Sequence, residues 1–215
     1  MNLLKNRLDA HFASASALAL GAALVGAEQR ADAHIVWSGI VNINIPSTSN
    51  GVYLNVVTGQ SATAGAGASG WDVNPWSSSD LNFFNPNNVP IGGAYVTGLG
   101  AFSTRVDNLA FNTLIGPGQG FGSGSSETSG ATAFNLGSSQ NLVGFRFVNE
   151  ATGTTHYGWM RLQLWSGPAV QPRSIVEFAY ETQAGVGINA GVIPAPGALA
   201  LLGIGGLLGS RRRRR

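Results

Sequence analysis

The feature that most constrains the fold is a period-two alternation that recurs three times between residues 142 and 181. Residues 142–148 (LVGFRFV) place Val143, Phe145 and Phe147 on one side and Arg146 on the other. Residues 155–165 (THYGWMRLQLW) set Met160, Leu162 and Leu164 against Tyr157, Trp159, Arg161, Gln163 and Trp165. Residues 174–181 (SIVEFAYE) set Val176, Phe178 and Tyr180 against Glu177 and Glu181. Side chains that alternate in this way suit a pleated strand with one face on a core, whereas a helix would need a period near 3.6. A Gly-containing turn at 149–154 joins the first two runs, so antiparallel pairing is the economical expectation.

The same texture begins upstream. In residues 34–45 (HIVWSGIVNINI), Val41, Ile43 and Ile45 alternate with Asn42 and Asn44. The turn signal PSTSNG follows, with Asn50-Gly51 suited to positive φ, and then the run GVYLNVVT, which together predict a hairpin. Residues 59–70 (GQSATAGAGASG) read as a small-residue linker or long loop, and short strands are expected around 81–84 and 94–97. Residues 116–130 (GPGQGFGSGSSETSG) place Gly at every second position from Gly116 to Gly124, a run expected to form an exposed loop because ordering it costs much backbone entropy. No amphipathic helix longer than two turns stands out in this body. The expected fold is all-β, an antiparallel β-sandwich of jelly-roll type. A signal helix is expected before it and a transmembrane sorting helix after it.

Charge separates the ends from the body. Between His34 and Val192 there are four arginines and no lysine against seven carboxylates, while five of the remaining basic residues are Arg211 to Arg215. The basic pI of the whole chain therefore belongs to its ends, and a nucleic-acid partner, which needs a basic stripe on the folded body, is not expected. The absence of Cys excludes disulfides and thiolate metal sites. At the N-terminus Lys5 and Arg7 precede an apolar run at 12–27 and an A-x-A site formed by Ala31, Asp32 and Ala33. That order is expected of a secretory signal occupying residues 1–33 and cleaved after Ala33. The body is then 34–192, and a sorting segment occupies 193–215.

The C-terminal segment reads PAPGALALLGIGGLLGSRRRRR. Pro194 and Pro196 precede an uncharged apolar run, and Arg211, Arg212, Arg213, Arg214 and Arg215 close the chain. Positive charge stays cytoplasmic, so the arginines inside and the body outside agree with the export signal. Together with the N-terminal signal this resembles the PEP-CTERM sorting signal of exported bacterial proteins, with Ala195 where the family pattern has Glu. The resemblance implies transient membrane anchoring through the C-terminal helix, an exosortase-type processing enzyme as partner, and a non-enzymatic role at the cell surface or in the extracellular matrix.

No catalytic constellation, cofactor motif or metal site is expected. Glu177 and Glu181 lie four apart on a strand, roughly 13 Å, and so are too far apart for a glycosidase pair. Solvated strand faces are the default for both, and Glu150 could complete a pair only through the fold. His34 would become the new N-terminus, and His156 reads as a packed or hydrogen-bonded residue at the opening of a strand. The residues singled out for ligand contact are Trp71, Asp72 and Trp76. The two indoles could stack on a sugar ring, and Asp72, with Asn74, Asp80 and Asn82, offers oxygen atoms of the kind that suit calcium, although the spacing matches no dedicated calcium loop and Asx turns also account for it. The alternative function is thus a secreted carbohydrate-binding module, calcium-assisted in one version, with extracellular polysaccharide as partner.

Overall fold

A computed structural model describes residues 35–97, 105–122 and 134–193. The cleavage site at Ala31 and Ala33, His34, and the sorting segment from Pro194 to Arg215 lie outside the described residues. Those described form thirteen strands: β1 (Ile35–Trp37), β2 (Ile43–Asn44), β3 (Tyr53–Leu54), β4 (Ser61–Ala62), β5 (Asn74–Trp76), β6 (Asn82–Phe84), β7 (Tyr95–Val96), β8 (Leu114–Ile115), β9 (Phe121–Gly122), β10 (Ser138–Asn149), β11 (Thr154–Leu164), β12 (Ser174–Glu181) and β13 (Ile188–Asn189). One short 3-10 turn, Gly65–Gly67, is the only helical element among them. The protein is all-β, and every ladder is antiparallel.

The three alternating runs are the three long strands. They make a meander at the centre of a seven-stranded sheet, ordered β1-β12-β11-β10-β7-β9 with β2 also on β12. The β10–β11 turn is set locally. The Asn149 side-chain oxygen accepts from the Ala151 N–H at 2.9 Å, and Gly153 at φ 67° donates to the Asn149 carbonyl at 2.7 Å. Only a residue that tolerates the left-handed region fits there without strain.

The sheet is buried on both faces. Val143, Phe145, Phe147, Met160, Leu162, Leu164, Ile175, Phe178 and Tyr180 share one face, packed under Ile45, Leu54, Val73, Leu81 and Phe83. Leu142, Tyr157, Trp159 and Ala179 share the other, under Leu109, Ile115, Ile188 and Ala190. Alternation alone predicts an amphipathic outer face that contains Tyr157 and Trp159. Covering them is the work of residues 105–115 and 188–190, which cross the second face and pair as β8 with β13. A Gly faces bulky neighbours on each side: a Cβ on Gly158 would lie 2.5 Å from the Phe145 ring, and one on Gly144 would lie 2.7 Å from Val96.

A bulge sets the two faces of β12. Arg161 pairs with Glu177 and Leu162 with Ile175, so Val176 is the extra residue. Beyond it the parity of β12 flips, and Ile175 joins Phe178 and Tyr180 in the core instead of sharing a face with Glu177.

The expected hairpin between residues 34–45 and 51–58 does not form. Residues 35–45 pair instead with β12, Ile35 opposite Glu181 and Asn44 opposite Ser174, and β3 pairs with β4. Hydrophobic alternation fixes a face but not a partner, and the partner here is β12, far along the chain. The regular ladder is interrupted at 38–42, where Gly39 (φ 68°) and Asn42 (φ 48°) leave the extended conformation, although the N–H groups of Ser38, Val41 and Asn42 still donate to the carbonyls of Phe178 and Val176. The residue run expected to be a loop from Gly116 is partly structured too, because β9 pairs with β7 and Phe121 packs against the second core.

Arg173, at the base of β12, is fully buried and has no carboxylate partner among the described residues. Its guanidinium donates to the carbonyls of Ile45 (3.0 Å), Pro46 (2.8 Å), Ser77 (2.6 Å), Asp80 (2.7 Å) and Pro168 (2.8 Å). Burial pushes its pKa down to about 10, so it remains charged at neutral pH. Five donors of fixed geometry thus tie together three separate loops.

Candidate functional site

Residues 70–88 supply the clearest candidate, a cleft of about 210 Å³ lined by Gly70, Trp71, Pro86, Asn87, Asn88 and Glu150. Its floor is positioned by Asn55. The Asn55 side-chain amide donates to the carbonyls of Ser69 (2.9 Å) and Gly70 (2.8 Å), while its oxygen accepts from the N–H groups of Val57 and Thr58. Gly70 sits at φ 63°, and a Cβ there would lie 2.6 Å from a carboxylate oxygen of Glu150. The missing side chain is therefore what admits Glu150, from the end of β10, to the wall beside Trp71. In sequence Glu150 could find a partner only through the fold, and a glycine preceding an aromatic residue is the signal that could have pointed to it.

Trp71 is half-buried in an aromatic group. Tyr53 meets it edge-on at 5.0 Å, and Phe84 lies nearly parallel at 6.1 Å. Phe84 is 51% exposed, so the group reaches the surface. Such a surface, flanked by the amides of Asn87 and Asn88 and one carboxylate, matches the pyranose pattern of an apolar ring face rimmed by hydroxyls.

Asp72 and Trp76 are placed differently. Asp72 is fully buried; one carboxylate oxygen accepts from the Val56 N–H at 2.8 Å, and the other, Oδ1, has no partner. Burial is the main cause that raises its pKa, the Val56 hydrogen bond opposes this and Glu150 adds to it, leaving the group at about 8. At neutral pH the carboxyl is mostly protonated, faces the interior and offers a ligand nothing. Trp76 lies at the far end of β5 opposite Asn82 and does not line the cleft. Asn74 is likewise structural, donating to the carbonyls of Asn50 and Val52. Among the described residues no three His, Asp or Glu side chains gather as a metal site.

Glu177, Glu181 and His156 are also inside. Glu177 and Glu181, expected on solvated strand faces, are both buried, because the second face of the sheet is covered. Glu177 accepts from Arg161 Nε at 2.6 Å and from Trp37 Nε1 at 2.8 Å, while Glu181 accepts from the Gln183 N–H at 2.9 Å. His156 is a packed strand residue. Its ring stacks on Phe147 at 5.5 Å, with Nδ1 2.9 Å from the Glu181 carbonyl oxygen and Nε2 3.0 Å from Thr154 Oγ1.

No family model, curated protein or solved structure matches this chain. Among the described residues no helix is long and apolar enough to cross a membrane.

Proposed function

We propose that the chain is an exported, non-enzymatic protein with a β-sandwich body, sorted to the bacterial cell surface or extracellular matrix through its C-terminal segment. The observation that carries this reading is the order of the sequence: a basic and apolar start ending in Ala31-Asp32-Ala33, a lysine-free acidic body, and Pro194 to Arg215 as a PAP, apolar and polyarginine tail. The core that β10, β11 and β12 share with Leu54 of β3, Val73 and Phe83 of β6 supports the sandwich reading, since it lies between the main sheet and a second layer of short strands. Processing at both ends would release the acidic β body, with an exosortase-type enzyme acting near Pro194. Mass spectrometry of the protein recovered from cell envelopes and medium tests this. The expected species begins at His34 and lacks the arginines; a cytosolic species with both ends intact overturns it.

The exposed Trp71–Phe84 surface beside Asn87, Asn88 and Glu150 favours a second reading, in which the body binds polysaccharide. The interior position of Asp72 removes the carboxylate on which a calcium-assisted version depended. Trp71→Ala is expected to weaken neutral oligosaccharide binding at least tenfold, the effect of losing about 1.4 kcal/mol, as read by tryptophan fluorescence titration. Absence of binding to a neutral glycan panel, with and without calcium, removes the reading.

A further inference from the structure

A second cavity, of about 350 Å³, lies against the face of the sheet that carries Trp159, and it shares no residue with the Trp71 cleft. Its wall includes Arg161, Asn108, Asn135, Gln140, Leu142 and Phe111. We propose that it binds a carboxylate-bearing sugar, a uronic acid unit of an acidic polysaccharide, with Arg161 holding the carboxylate.

Glu177 prepares the arginine for this role. Its side chain is only 8% exposed, and both of its oxygens are engaged, one by Arg161 Nε at 2.6 Å and one by Trp37 Nε1 at 2.8 Å. Glu177 therefore clamps the guanidinium by its inner edge and fixes the plane of the group. The outer edge is left nearly unused. Nη1 reaches only Gln140 Oε1, at a long 3.4 Å, and Nη2 has no partner among the described residues. A guanidinium has five donors in a rigid plane, and a pair of parallel N–H groups suits the two oxygens of a carboxylate. Arg161 and Gln140, the residue that Nη1 reaches, both line the cavity.

The remaining walls suit a sugar ring. Phe111 is 69% exposed at the rim and offers an apolar face. Asn135 and Gln140 contribute amides, and Asn108 and Asn135 are held in place through Asn141, which is itself fully buried. The volume is at the low end for small-ligand sites, so one sugar unit fits better than an extended ligand. Glu177 already balances the charge of Arg161, which makes the bidentate hydrogen bonds, rather than long-range attraction, the source of preference for the acid. This site does not depend on the saccharide reading of the Trp71 cleft.

Calorimetric titration of the full-length protein with a galacturonate trimer, its methyl ester and a neutral glucose trimer tests the proposal. The acid is expected to bind at least tenfold more tightly than its ester. Arg161→Lys keeps a cation for Glu177 but loses the planar fork, and is expected to cost the acid tenfold or more. Ala110→Phe, at the exposed edge of the cavity, is expected to do the same by filling it, with the ion pair untouched and the melting temperature unchanged. Trp71→Ala should leave uronate binding as it is, so failure at one cleft is distinguishable from failure at the other. Equal affinity for acid and ester, no detectable binding by the folded protein, or full affinity in Ala110→Phe each overturns the assignment.

Discussion

Replacing Asp72 by Asn should make the protein less sensitive to alkali. The folded protein holds the Asp72 proton more tightly than the unfolded chain does, with a pKa of about 8 against 3.8. A carboxyl raised in this way contributes stability that is fully present below the unfolded value and is lost as pH rises towards the folded one. Each pH unit between those two values corresponds to about 1.4 kcal/mol, so between pH 5 and pH 8 the wild-type chain should lose about 3–4 kcal/mol through this group, on top of about 1.5 kcal/mol already lost at pH 5. The side-chain amide that Asp72→Asn introduces does not titrate. Its oxygen can accept from the Val56 N–H as Oδ2 does, but its NH₂ would occupy the position of Oδ1, where no acceptor waits, at a cost of about 1–3 kcal/mol. The two effects nearly cancel at pH 5, and the variant should be more stable than wild type by about 2–4 kcal/mol at pH 8. Urea unfolding followed by tryptophan fluorescence at pH 5, 6.5 and 8 measures this, and taking the difference between the two proteins removes the titration of every other group. A stability difference that does not change between pH 5 and pH 8 would refute the buried, protonated state of Asp72.

Two further substitutions probe the packing. Arg173→Met strands five carbonyls around an apolar side chain and should cost about 3–5 kcal/mol in urea unfolding, with Arg173→Lys recovering part of the loss; a cost below about 1 kcal/mol would mean that the carbonyls find other partners. Gly158→Ala places a methyl group 2.5 Å from the Phe145 ring and 2.8 Å from the Ala179 carbonyl oxygen, and because backbone cannot give way as a side chain can, a loss of about 2–3 kcal/mol is expected, with unchanged stability as the refuting result.

The long strands were legible in the sequence because their information is local. Residues 142–148, 155–165 and 174–181 carry a period that side-chain identity alone reveals, and they became β10, β11 and β12 within a few residues at each end. What was not legible depended on partners far along the chain. The pairing of Ile35 with Glu181 and the burial of Glu177 are settled by long-range competition for a ladder and by a covering layer that has no period of its own. The same division holds at the cleft. Trp71 was visible as an exposed-type aromatic in a polar loop, whereas the approach of Glu150 to Gly70 is a product of tertiary structure. Asp72 misled for a related reason, since a carboxylate beside an indole looks alike in sequence whether it faces water or the core.

The irregular stretch at Gly39 and Asn42 bears on how many copies of this protein can share a space. An unpaired strand edge presents free N–H and C=O groups that another chain can complete, and long, straight edges seed fibrils. Among the described residues, one margin of the main sheet is irregular between Trp37 and Ile43, and the margin at β9 spans two residues. Neither offers an incoming strand a continuous template. At high local concentration such margins would keep the sheet from growing through its neighbours.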